Sequence, residues 1–206
     1  MNSLLDQSIL KLVRAMPVER HAFSATAAYW RAKFHGKRKD TLFQTVFGAA
    51  PELRLSRRHL LEQVDTSAEQ RCVEILLWGY PRNQHGLITK ILPSLESFAA
   101  LASSDSDWPR YYKDLHATNG LAISTITKLA YFHRLKFDGM PALILDEQIM
   151  KRLPLWAETS SLIITRASAP NRYVRYLRLM TELSSKMKCK PDQLELFLFT
   201  LGRNLA

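Results

Sequence analysis

Lys128 and Asp146 are the two residues whose types and spacing most suggest chemistry. Lys128 lies among Ile126, Leu129, Ala130, Tyr131 and Phe132. A lysine set among apolar residues must find a counter-charge or give up its proton, and a neutral amine is a nucleophile. Asp146 follows 18 residues later, directly after the apolar run Ala142, Leu143, Ile144 and Leu145, which would carry its carboxylate inward and make it the partner. A plainer reading stands beside this one. Lys128 can snorkel to solvent while Asp146 caps the helix that continues through Glu147, Gln148 and Ile149.

Upstream of Lys128 the chain reads as helix, tight turn, helix. The first helix opens at Asp107 before Trp108 and Pro109 and ends at Asn119 and Gly120, and the second begins near Ser124 with its first backbone N–H groups unpaired. Amides and helix dipole at such a terminus favour an anion, so Gly120, Ala122, Ser124 and Thr125 are candidate contacts to a nucleic-acid phosphate. A glycine between two helices is more often purely structural.

The composition agrees with an anionic partner. The chain has 206 residues, with 29 Lys and Arg against 19 Asp and Glu, a formal net charge of +10 that biases encounters toward polyanions. Three basic clusters stand out. They are Lys37, Arg38 and Lys39, then Arg54, Arg57, Arg58 and His59, then Arg172, Arg175 and Arg178 interleaved with Tyr173 and Tyr176. A solvated face is the simpler account of each. No apolar run approaches the roughly 18 to 20 residues that span a bilayer, and Leu4 to Met16 is broken by Asp6, Lys11 and Arg14 as in an amphipathic helix. Cys72 and Cys189 lie far apart and the histidines are scattered, so no disulfide framework, metal site or cofactor is expected.

The elements that must position these residues are helical. Apolar residues recur at spacings of three and four, and glycine is sparse. Ser67 and Gln70 form a capping-box pattern ahead of a helix that runs to Trp78 and stops at Gly79 and Pro81. Leu87, Ile88, Ile91, Leu92 and Leu95 make a second stripe, Ser168 to Pro170 and Lys190 to Asp192 open two later helices, and the last closes near Gly202. The run Ser161 to Thr165 could be extended, but one run cannot make a sheet. The expected fold is therefore all-α, a single two-lobed unit over 1–206 with a lobe boundary near 102–107 and the paired helices at about 107–135.

These segments resemble the helix-hairpin-helix DNA glycosylases, especially the bacterial branch similar to 8-oxoguanine DNA glycosylase. Gly120 to Ala122, Thr127 to Phe132 and Ala142 to Asp146 look like the family's hairpin, catalytic lysine and catalytic aspartate in order. The loop from Leu77 through Trp78, Gly79, Tyr80 and Pro81 to Arg82 and Asn83 looks like the segment whose polar residues enter the gap left by an extruded base. The resemblance covers about residues 70 to 200. Ala122 stands where the family usually has a second hairpin glycine. The family lysine commonly falls about four residues after the first hairpin glycine, a register that here holds Ser124, with Lys128 one helical turn deeper on the same face. The spacing to Asp146 favours Lys128; the hairpin count favours Ser124.

The resemblance implies excision of an oxidised or modified base from double-stranded DNA by base flipping, with Lys128 attacking C1′, Asp146 assisting, and strand cleavage by β-elimination. The lack of a spanning run or signal-peptide core points to the cytoplasm, and the resemblance adds a monomer associated with a bacterial nucleoid. A glycosylase directed at modified phage DNA, a catalytically silent DNA-binding protein and a helical interaction protein are the alternatives.

Overall fold

The computed structural model describes residues 3–34, 37–63, 66–80, 87–119 and 121–201. It is mostly helical, as the periodicity predicts. In chain order the helices are α1 (Gln7–Arg14), α2 (Ala27–Arg31), α3 (Lys37–Phe47), α4 (Arg57–Glu62), α5 (Ala68–Gly79), α6 (Leu87–Ile91), α7 (Leu95–Ala102), α8 (Trp108–Asn119), α9 (Ile123–Phe132), α10 (Glu147–Arg152), α11 (Ala169–Met187) and α12 (Pro191–Thr200).

Two small antiparallel pairs depart from the purely helical expectation. β1 (Ala22–Thr26) pairs with β2 (Glu52–Ser56) in the register Ala22 to Ser56 and Thr26 to Glu52, and packs on α5. In β2 the alternation is visible once the partner is known, with Leu55 buried between exposed Arg54 and half-buried Ser56. β3 (Lys136–Phe137) and β4 (Met140–Pro141) are joined by Asp138 and Gly139, whose φ values of 51° and 76° make the left-handed two-residue turn that Asp-Gly favours. Ser161 to Thr165 forms no strand; Leu162 and Ile164 turn inward from an irregular segment while Ile163 is exposed.

Capping follows the sequence closely. Ser67 Oγ accepts from Gln70 N at 3.1 Å and Asp107 Oδ1 from Arg110 N at 2.9 Å, each satisfying one of the orphan donors of a helix start. Only half of the expected capping box forms at α5, because the Gln70 side chain turns forward to Glu74 Oε1 at 2.8 Å. The first and last helices meet. α1 buries Ile9, Leu10 and Val13 and packs on α12; Gln193 Nε2 of α12 donates to Arg14 O at 2.7 Å, and Arg14 Nε donates to Met187 O, at the end of α11, at 2.9 Å.

The central helix is α9, with Ile126, Leu129, Ala130 and Phe132 wholly buried and α5, α7 and α8 against it. Helix α11 holds the segment that follows β4. Tyr173 Oη donates to Leu143 O at 2.6 Å and accepts from Leu143 N at 3.1 Å, and Tyr176 Oη donates to Ile144 O at 3.0 Å. Next to them, Leu145 N donates to Thr127 Oγ1 at 3.1 Å. Backbone groups that have no ladder partner are thus satisfied by three buried hydroxyls, and the segment leading to Asp146 is fixed between α9 and α11.

Among the described residues no helix is long and apolar enough to cross a membrane.

Candidate active site

A pocket of about 580 Å³ is lined by residues from both sides of 102–107. Its walls come from the residue before β1 (His21), α4 (Arg57), the end of α5 (Trp78, Gly79) with Tyr80, the start of α9 (Ile123, Ser124, Lys128), the segment Ile144 to Gln148, and α12 (Glu195, Phe199). Lys128 and Asp146 both line it.

Lys128 is half-buried, one turn into α9 from Ser124, and its Nζ donates to Ser124 Oγ at 3.0 Å. The two residues between which the sequence left a choice are therefore in contact on one face. Nζ also lies 4.9 Å from the centre of the Tyr80 ring. Asp146 is the N-cap of α10, its Oδ1 accepting from Ile149 N at 3.0 Å. This is the capping role of the plainer reading, and it coexists with a place in the pocket wall. Among the described residues the second oxygen, Oδ2, has no hydrogen-bond partner.

Ala122 is exposed at the N-cap of α9 and lines the pocket beside Ile123 and Ser124. Thr125 is placed differently from the expectation. It is buried, its hydroxyl lies 2.6 Å from Tyr80 Oη, and its N–H already donates to Ala122 O at 2.9 Å. The third residue of a helix can bond back to the cap, and the side chain faces α5 instead of the open end of the helix. Gly120, Arg82 and Asn83 lie outside the described residues.

Of the basic clusters, one arginine changes role. Arg57 is 1% exposed, and its Nη1 and Nη2 donate to the two carboxylate oxygens of Glu195 at 3.0 and 2.9 Å. Rings of Tyr131 and Trp78 stand 5.1 and 5.5 Å from its guanidinium carbon. It belongs to the pocket floor, not to a phosphate-binding surface. Arg58 is engaged with Glu19, and His59 Nε2 is 3.5 Å from Glu74. Along α11 the arginines and tyrosines face opposite ways, with Tyr173 and Tyr176 fully buried and Arg175 and Arg178 exposed. Trp78 is 2% exposed and packs edge-on against His21, Phe23 and Phe132, which makes it wall and not a free stacking platform.

His21, Arg57, Glu195 and Tyr80 were not singled out as site residues by sequence. A signal exists for the ion pair, because Glu195 interrupts the apolar run Leu194 to Leu198 and a buried carboxylate needs a cation. Burial, and after it the positive charges of Arg57 and Lys128, push the His21 imidazole down to about 4, so at neutral pH it is uncharged with one ring N–H and one lone pair. Burial and Arg71 do the same to His133, also to about 4. The unfolded chain takes up these protons near the ordinary value of 6.5 and the folded chain only near 4, so unfolding is favoured as pH falls through that window. The melting temperature is expected to be insensitive to these groups above pH 6.5 and to drop from there toward pH 4, with a smaller drop in His133→Gln. A pH series of thermal melts checks this.

The mostly helical fold is consistent with that of an all-α glycosylase. The particular family follows from the sequence. Residues 16–199 match the family described as "Putative 8-oxoguanine DNA glycosylase OGG-like protein", and the chain belongs to that family of DNA glycosylases. No curated protein and no solved structure matches it.

Proposed function

We propose that the chain removes an oxidised base, 8-oxoguanine first among them, from duplex DNA, with Lys128 as nucleophile and Asp146 as its carboxylate partner. The observation that carries this reading is the pocket itself, which gathers an amine held by Ser124 and a carboxylate with one oxygen that has no partner among the described residues. Membership of a DNA glycosylase family supports DNA as the substrate.

In the proposed reaction the damaged nucleotide is flipped out of the stack, at a cost of about a few kcal/mol, and its sugar C1′ enters the pocket mouth. The Lys128 ammonium passes a proton to the Asp146 carboxylate. The freed lone pair then forms the N–C1′ bond as the glycosidic bond breaks, and the departing base keeps that bond's electrons and takes up a proton. The nitrogen now carries two protons; it loses one as the C1′–O4′ bond opens and O4′ takes up a proton, which leaves a protonated imine. Loss of a C2′ proton then expels the 3′ phosphate, and water finally releases the enzyme. The start of α9, with Ala122 and Ser124 beside Gly120, would hold a backbone phosphate against the helix dipole. Arg82 and Asn83, just beyond Tyr80, would fill the gap left in the duplex. The two halves that line the pocket would act as two lobes closing on DNA.

The test is Asp146→Asn. Asparagine caps a helix as well as aspartate does, so α10 and the fold are retained. Base release in single turnover is expected to fall by about a hundredfold or more, within the range that a positioned proton acceptor contributes, with duplex affinity unchanged. Equal losses of base release and binding would make the carboxylate structural and favour a silent DNA-binding protein.

A further inference from the structure

Gly79 and Tyr80 have no part in the reaction above, yet both lie against Lys128. At Gly79 an added Cβ would stand 3.0 Å from Lys128 Cδ, 3.6 Å from Cε and 3.7 Å from Nζ, so the lysine's stem crosses the bare α-carbon. Tyr80 then leaves the helix at φ −142° and ψ 62°, while its N–H still donates to Leu76 O at 2.8 Å. That turn sets the ring 4.9 Å from Nζ and the hydroxyl 2.6 Å from Thr125 Oγ1 on α9. Thr125 is 2% exposed, so the tyrosine is tied to the same helix that carries the lysine.

We propose that Gly79 and Tyr80 form a slot that positions Lys128 for attack. A lysine has a flexible four-carbon stem and three rotatable donors, and left free it samples many rotamers. Here the stem is confined on one side by the backbone of Gly79, and the ammonium is confined by the ring face of Tyr80 and by Ser124 Oγ at 3.0 Å. The ring attracts a cation through its quadrupole and offers an uncharged amine much less. Once the proton has left, the hold weakens and the amine can advance to C1′. Tyr80 acts through Lys128 and is a positioning residue. Its value for catalysis rests on Lys128 being the nucleophile; the slot itself does not.

The experiment compares Tyr80→Phe, Tyr80→Leu and Gly79→Ala with wild type in three measurements. They are the single-turnover rate of borohydride trapping on an abasic duplex, the duplex Kd, and the rate at which acetic anhydride modifies Lys128 relative to Lys151. Tyr80→Phe keeps the ring and is expected to trap at close to the wild-type rate. Tyr80→Leu is expected to trap about tenfold more slowly at unchanged Kd, a part of the hundredfold that misplacement by an ångström costs. Gly79→Ala is expected to slow trapping in the same way. Acetylation of Lys128 should be faster in Tyr80→Leu and unchanged in Tyr80→Phe. Wild-type trapping in Tyr80→Leu overturns the proposal, and so does Tyr80→Phe as slow as Tyr80→Leu, which would assign the effect to the Thr125 strut. Absence of trapping in wild type defeats the nucleophile reading alone. Acetylation then decides the slot, and equal rates in wild type and Tyr80→Leu overturn it.

Discussion

Lys128→Gln is expected to release 8-oxoguanine at least about three orders of magnitude more slowly than wild type and to bind the same duplex within a few-fold. Glutamine fills most of the space of the lysine stem and can still donate to Ser124 Oγ, so the start of α9 and its hydrogen bond survive. What disappears is the amine, and with it both the proposed nucleophile and the cation that faces the Tyr80 ring. The split between rate and affinity is the informative part. A loss confined to affinity would describe a lysine that contacts phosphate, whereas a loss confined to the chemical step describes one that reacts. Single-turnover base release and fluorescence anisotropy on the same duplex measure the two quantities separately. Retained base release in the glutamine variant would remove the amine from the mechanism and leave Asp146 to activate water.

The largest expected effect on stability lies at Arg57 and Glu195. Both side chains are 1% exposed, and they bridge α4 and α12, which are far apart in sequence. Burial by itself pushes the Arg57 guanidinium down, but the Glu195 carboxylate against it more than reverses this, so the guanidinium stays charged. Burial pushes the Glu195 carboxyl up, opposed by Arg57. Each charge is tolerable only because of the other. Removing Glu195 alone, as in Glu195→Ala, strands a buried cation and is expected to cost about 3–5 kcal/mol. For a chain of this length that is a fall of roughly 10 °C in Tm. The paired replacement of Arg57 by Met and Glu195 by Leu removes both charges and is expected to recover most of the loss, because a buried ion pair offsets little more than its own desolvation. Denaturant midpoints of Arg57→Met, Glu195→Leu and the double variant form the cycle that measures the coupling. A single variant as stable as wild type would mean that water reaches the pair.

Much of the scaffold was legible because local rules and tertiary fate agree there. Ser67 and Asp107 cap the helices they precede, and the two apolar runs beside Lys128 and Asp146 bring both residues to the pocket. The parts that were not legible depend on partners distant in sequence. β2 is too short for its alternation to stand out, and it becomes a strand by pairing with β1 some thirty residues earlier. The turn at Asp138 and Gly139 carries a clear hairpin signal, but the strands it joins are two residues each. In the cluster Arg54, Arg57, Arg58 and His59, composition cannot say which cation turns inward. Only the carboxylate at Glu195, more than a hundred residues on, selects Arg57. Tyr80 meets Lys128 because α5 packs on α9, a contact that no spacing within either helix encodes.

The bond proposed between Lys128 Nζ and the sugar of the extruded nucleotide is open to direct capture. Its most direct test is borohydride reduction of wild-type protein on duplexes carrying 8-oxoguanine, an abasic site or no lesion, followed by digestion and mass mapping of the adduct. A covalent complex is expected on the first two duplexes and none on the third, with the deoxyribose remnant on the peptide that contains Lys128. A remnant on another amine, or no complex on either damaged duplex, would contradict the proposed bond.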